Sequence, residues 1–115
     1  MEVKFIKASP TENMTLLIET PVAREKQLAV AERLIAYGSV YAEQAGYIEE
    51  AENPAAEKRL QMMAGEFCGN AARSFGLMLA KRRGMAEGYL DISVSGMQQA
   101  LKVHIAREDA SVHLS

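Results

Sequence analysis

Hydrophobic and polar positions alternate most regularly in the last third of the chain. Leu90, Ile92 and Val94 alternate with Asp91, Ser93 and Ser95. Leu101, Val103 and Ile105 alternate with Lys102 and His104, and Val112 and Leu114 with Ser111 and His113. Successive side chains of a strand point to opposite faces, so this spacing predicts three strands with one buried and one wet face. Gly96 turns the chain between the first two, and the result is an antiparallel meander. With the last turn centred on Glu108 and Asp109, His104 and His113 face each other across the hairpin, close enough to share a metal. Two histidines on an exposed face without a third ligand are ordinarily just solvated, so no metal site is assigned.

Earlier in the chain, Val3 to Ala8 and Met14 to Glu19 read as strands, the second carrying the apolar run Leu16-Leu17-Ile18. Ser9-Pro10-Thr11-Glu12-Asn13 between them has the composition of a turn. Thr20 and Pro21 supply an N-cap and a first helical residue. Leu28, Ala31, Leu34 and Ile35 then share one side opposite Glu25, Lys26 and Arg33, until Gly38 closes the helix. From Ser39 to Gly46 the pattern supports either another helical turn or a loop. Tyr47 to Ala51 reads as a short strand, Glu49 to Pro54 as an acidic, solvated hairpin connection, and Lys58 to Ala64 as the strand that follows.

A second helix follows Cys68. Ala71, Phe75, Met78 and Leu79 form its buried stripe, and Ala72 and Gly76 are small enough to let a neighbouring element approach. Lys81, Arg82 and Arg83 sit in the last turn, where cations complement the negative end of the helix dipole, and Gly84 stops the helix. Arg73 lies near the positive end instead. There it either has a partner such as Glu66 or an acidic group, or is simply solvated.

Composition narrows the functional classes. A chain of 115 residues that is 49% hydrophobic, without low-complexity tracts, predicts one folded domain. A net charge of -2 offers no basic face for nucleic acid beyond the cluster at the helix end. No apolar run approaches the roughly 20 residues that span a bilayer, and the N-terminus lacks the basic-then-apolar layout of a signal peptide. The single cysteine cannot form an internal disulfide, which fits a reducing, cytoplasmic setting. No second cysteine or histidine stands near it to suggest zinc.

That cysteine lies in Met62 to Gly76, where the strand-like run Leu60, Met62, Ala64 gives way to the helix-like run Ala71, Phe75, Met78, Leu79. A cysteine at such a junction sits against unpaired backbone N–H groups and the positive end of a helix dipole, which favour thiolate over thiol. Gly69 lets a ligand approach the main chain, and Asn70 can cap or bind at the helix start. Exposed N–H groups at this turn make a cradle for a carboxylate or phosphate. The alternative is that Cys68 is a small buried hydrophobe.

Glu66-Phe67-Cys68-Gly69-Asn70-Ala71-Ala72-Arg73 resembles the signature around the first catalytic cysteine of the diaminopimelate epimerase family, and more closely that of its amino-acid racemase branch, which includes histidine racemases. The resemblance covers essentially the whole chain. It implies an α+β fold in which residues 1–115 form the N-terminal of two similar lobes, each a mostly antiparallel sheet wrapped around a central helix. It also implies proton exchange at the α-carbon of a small-molecule amino acid without pyridoxal phosphate, metal or other cofactor. In that chemistry Cys68 is base in one direction and acid in the other, and the N–H groups of Gly69, Asn70 and Ala71 hold the substrate carboxylate. Asn13 matches a substrate-contacting asparagine of the family's first loop, or is only a turn former.

Such a reaction uses two thiols, so the second is expected from a missing C-terminal lobe or from a second copy in a homodimer. A lone lobe would bare apolar surface and self-associate. Three departures point away from diaminopimelate as substrate: the first loop lacks the epimerase glycines, Ala42-Glu43-Gln44-Ala45-Gly46 differs from the family motif there, and Ser74 replaces a second cysteine. Two other classes are a non-catalytic anion-binding or thiol-redox module, and an isomerase lobe resembling the phenazine biosynthesis enzyme, whose relatives lack the cysteine.

Overall fold

The alternating stretches do form strands, and they join a single sheet. The computed structural model describes residues 5–8, 14–38, 42–106 and 109–113. Its strands are β1 (Phe5–Ala8), β2 (Met14–Ile18), β3 (Ala42–Glu49), β4 (Arg59–Met62), β5 (Glu87–Val94), β6 (Leu101–Ala106) and β7 (Asp109–His113). They lie side by side in chain order as a seven-stranded sheet. Four neighbouring pairs are antiparallel; β2 with β3 and β4 with β5 are parallel. A parallel pair cannot be closed by a tight turn, and each has a helix as its crossover. Helix α1 (Gln27–Gly38) joins β2 to β3, and α2 (Gly69–Arg83) joins β4 to β5. The fold is therefore α+β with a mostly antiparallel sheet, as expected.

The two helices cover opposite faces. Leu16, Ile18, Ala45 and Tyr47 pack with Ala31 of α1. Leu17, Leu60, Met62, Leu90, Ile92 and Val103 pack with Phe75, Met78 and Leu79 of α2. Strand β2 thus buries both faces, which explains why Leu16, Leu17 and Ile18 are all apolar and all inaccessible to solvent. Helix α2 lies close to the sheet at Gly76, where an added Cβ would stand 2.7 Å from Val103 Cγ1. At its far end Gly84 adopts φ 70° and caps the helix, while Arg82 and Arg83 pair with Glu19 and Glu57.

Helix α1 starts later than Thr20-Pro21 predicts. Residues 21–23 have no regular secondary structure, a 3-10 turn spans Arg24–Lys26, and α1 begins at Gln27. The cause is Gln27 itself, buried with its amide donating to Val22 O at 3.1 Å and to Glu49 Oε2 at 2.7 Å. Arg24 holds the other oxygen of Glu49 at 3.0 Å. With Gln27 and Ala31 facing inward, Leu28 falls off the buried stripe and is 46% exposed.

Two other expectations shift. Of the stretch that the pattern assigns to a helical turn or a loop, Ser39 to Tyr41 lie outside the described residues and Ala42 to Gly46 begin β3; the strand expected at Tyr47 to Ala51 is its second half, ending at Glu49. Gly46 permits this, since β3 runs between β2 and β4 and an added Cβ there would meet Leu60 Cδ1 at 2.6 Å. The histidines do not face each other. Asp109 already belongs to β7, so His104 pairs with Ser111 and His113 with Lys102, while the His104 ring stacks on Tyr89 at 4.8 Å. Among the described residues no cluster of metal-ligating side chains exists, and no helix is long and apolar enough to cross a membrane.

Two stability tests follow from this packing. Gly76→Ala gains about 1 kcal/mol of helix propensity but must displace the stiff Val103 side chain, at about 1–3 kcal/mol. A net loss is expected in urea unfolding, and Val103→Ala in the same chain should restore much of it. Tyr47 donates to Gln27 O at 2.7 Å. Burial pushes its hydroxyl above the ordinary value, with a smaller pull downward from the Ala31 backbone. The unfolded chain therefore loses this proton first, and stability falls as pH rises past ~10 toward the folded value. Tyr47→Phe should cost about 1 kcal/mol near neutral pH and flatten that alkaline decline, read as urea midpoints across the pH range.

Candidate functional site

Strand β4 ends at Met62 and the chain turns sharply before α2. Met63 N–H bonds Ala45 O at 3.0 Å, and Gly65, at φ 76°, donates to Met62 O at 2.9 Å. A positive φ is where glycine is favoured. Cys68 then adopts an extended backbone, φ -136° and ψ 112°, as the N-cap of α2, and its carbonyl accepts the first helical bond from Ala72 N–H at 3.0 Å. Its side chain makes no capping bond. The sulfur is only partly buried, at the edge of the α2 core, and accepts a hydrogen bond from Gln44 Nε2 at 3.0 Å. Gln44 also donates to Thr15 Oγ1 at 3.2 Å, so its amide links β2, β3 and the start of α2.

Gly69, Asn70 and Ala71 are the first three residues of α2, whose N–H groups have no acceptor within the helix. Gly69 and Asn70 keep exposed surface, whereas Ala71 is fully buried. Apart from its chain neighbours and the adjoining helix backbone, no atom lies within 4 Å of the place a Gly69 Cβ would occupy. The Asn70 carbonyl accepts from Ser74 Oγ at 3.0 Å, and its side-chain oxygen accepts from Arg73. Arg73 thus has Asn70 as partner instead of Glu66, whose carboxylate accepts from Ala64 N–H at 3.2 Å. With its oxygen held, the Asn70 amide presents its NH2 end as donor. The first turn of α2 holds no acidic residue. Donors and one guanidinium therefore surround the start of the helix, an arrangement suited to an anion beside a thiol.

Cys68, Gly69, Asn70 and Ala71 thus stand at the start of α2, and Asn13 lies outside the described residues. Gln44 was missed because it falls in the stretch without a clear pattern. Recognising Ala42 to Glu49 as a strand would have placed Gln44, Gly46 and Ile48 on the α2 face. Two clefts lined by described residues lie elsewhere. One of about 430 Å³ lies between Glu19, Val22, Ile48, Leu79 and Arg82, and one of about 760 Å³ between Arg24, Glu49, Arg59, Gln61, Ser93 and Gln98. Neither touches Cys68, and chemistry rather than cleft volume selects the helix start.

Comparison with known proteins places the chain in a family. Residues 2–115 match the family model described as the histidine racemase CntK N-terminal domain. A histidine racemase of Fusobacterium nucleatum subsp. nucleatum is 38% identical over 109 residues, covering 92% of this chain and 39% of the relative. One from Staphylococcus aureus is 30% identical over 104 residues, covering 90% of this chain and 38% of the relative. The chain therefore spans about two fifths of the length of these relatives. With the match extending over nearly every residue, the chain belongs to the histidine racemase CntK N-terminal domain family.

Proposed function

We propose that this chain is the N-terminal lobe of a cofactor-independent amino-acid racemase of the diaminopimelate epimerase type, working in the cytoplasm, with histidine as the first substrate to test. The observation that carries the reading is the placement of Cys68. Its sulfur takes no part in capping α2 and is held by Gln44 at 3.0 Å beside the amides of Gly69 and Asn70. The histidine racemase names of the relatives support the substrate.

The α-proton of an amino acid is weakly acidic, and removing it sends negative charge into the carboxylate. Helix-start N–H groups of Gly69, Asn70 and Ala71, with the Asn70 side-chain NH2, would meet that charge as it forms. Cys68 as thiolate takes the proton from one face and returns as thiol, while a second acid delivers a proton to the opposite face; in the reverse direction Cys68 is the acid. Asn13 is the further substrate contact in this scheme. The chain has one cysteine, so the second thiol comes from a C-terminal lobe or from another copy of this chain. The need for that thiol, more than bare apolar surface, supports a partner: among the described residues Leu28 and Tyr89 are the exposed large hydrophobics.

Two outcomes test this. The 115-residue chain alone should invert L-histidine slowly or not at all by chiral chromatography. Rapid inversion that Cys68→Ala abolishes would assign the second thiol to a second copy. Millimolar histidine should also slow alkylation of Cys68 by iodoacetamide several-fold, because substrate would cover the sulfur. Equal alkylation rates with and without every amino acid tried would sink the racemase reading.

A further inference from the structure

Residues 63–67 deliver Cys68 to the helix, yet β4 and β5 pair only at Arg59 with Ser93 and at Leu60 with Val94. Past that point the sheet ladder gives way, and the aim of the sulfur depends on what holds the turn. Alternation in the sequence puts Ser95 on the wet face with Asp91 and Ser93, but it is 1% exposed. Its hydroxyl accepts from Met62 N–H at 2.9 Å and donates to Glu66 O at 2.5 Å, while its own N–H bonds Leu60 O at 3.0 Å. One side chain therefore ties the last residue of β4 to the residue two before Cys68. Next to it Gly96, at φ 81°, lies so close to the turn that an added Cβ would stand 2.6 Å from Phe67 N and 3.1 Å from Glu66 C.

We propose that Ser95 and Gly96 are positioning residues, which clamp the Glu66-Phe67 backbone from the end of β5 and so set the direction of the Cys68 sulfur. The importance of that aim for proton transfer rests on the racemase reading; the clamp itself does not. Removing the hydroxyl leaves Met62 N–H and Glu66 O without their partner, and the turn is then free to drift. A proton donor or acceptor must lie within hydrogen-bond reach of the α-carbon proton, and drift of the turn disturbs that geometry without touching the ligand.

The test reads the Gln44 side-chain NH2 resonances by NMR in the full chain, since Gln44 bonds Cys68 Sγ directly. Cys68→Ala gives the reference position for a lost sulfur contact. Ser95→Ala and Gly96→Ala should each move the resonances at least halfway toward it. Ser93→Ala, in β5, loses only a bond from Arg59 of β4 and should leave them in place. Wild-type Gln44 resonances in a folded Ser95→Ala chain, or an equal shift in Ser93→Ala, would overturn the proposal. If Ser95→Ala does not fold, hydrogen exchange of the wild-type chain decides. Met62 N–H should be protected at least about a hundredfold over its unfolded rate, as a native bond to a buried hydroxyl requires, and exchange near the unfolded rate would refute the clamp. Because this readout uses no substrate, failure of histidine to protect Cys68 would remove the racemase reading and leave the clamp standing.

Discussion

The burial of one side of α2 against the sheet is the constraint from which the rest of this structure follows. Phe75, Met78 and Leu79 lie against Leu90, Ile92 and Val103, and Gly76 brings the helix axis close to β6. Burying a side chain such as Phe75 contributes about 1.5–3 kcal/mol, so a few such residues hold the helix in place. Its start is then determined as well, at the end of β4. A helix anchored through its side does not need a good cap. Cys68 makes no capping bond, where a serine or aspartate would add about 1 kcal/mol. That loss leaves the sulfur and the first amides of α2 available for another task.

Anchoring the helix does not by itself aim the sulfur. The side chain meets Gln44 from β3, and Gln44 is steadied in turn by the buried hydroxyl of Thr15 on β2. The preceding turn is held from the other direction by the end of β5. Cys68 is thus located by strands from both halves of the sheet, and each support is a polar group inside an apolar setting. Such bonds are costly to leave unmade, which makes them effective at fixing one geometry. Stability comes mostly from the hydrocarbon contacts; the polar bonds decide which way the site faces.

Much of this was legible in the sequence because the governing residues follow simple periods. The β5–β7 meander, the α2 stripe, its glycine stop and the position of Cys68 at a strand-to-helix junction all appear as predicted. The misses share a cause, in that a tertiary contact overrode local pattern. Gln27 displaces Leu28 from the inner stripe of α1 because Glu49 and Val22 meet its amide. Gly46 obscured the strand pattern of Ala42 to Glu49 because its position against Leu60 leaves no room for a Cβ. Ser95 reads as a wet-face residue until the turn it holds is in view, and the histidine register depended on a turn placed too late.

The polarity of the site also constrains what it can hold. Asn70 could present either end of its amide to a ligand, and the choice decides whether it reads a donor or an acceptor. Arg73 removes the ambiguity, because a guanidinium has only donors and so takes the Asn70 oxygen. The NH2 group and the helix-start N–H groups are then alike in being donors. A ligand there must bring acceptors and is favoured by negative charge, as a carboxylate is. The Arg73 cation, misplaced by the helix dipole alone, makes sense as the group that selects this orientation.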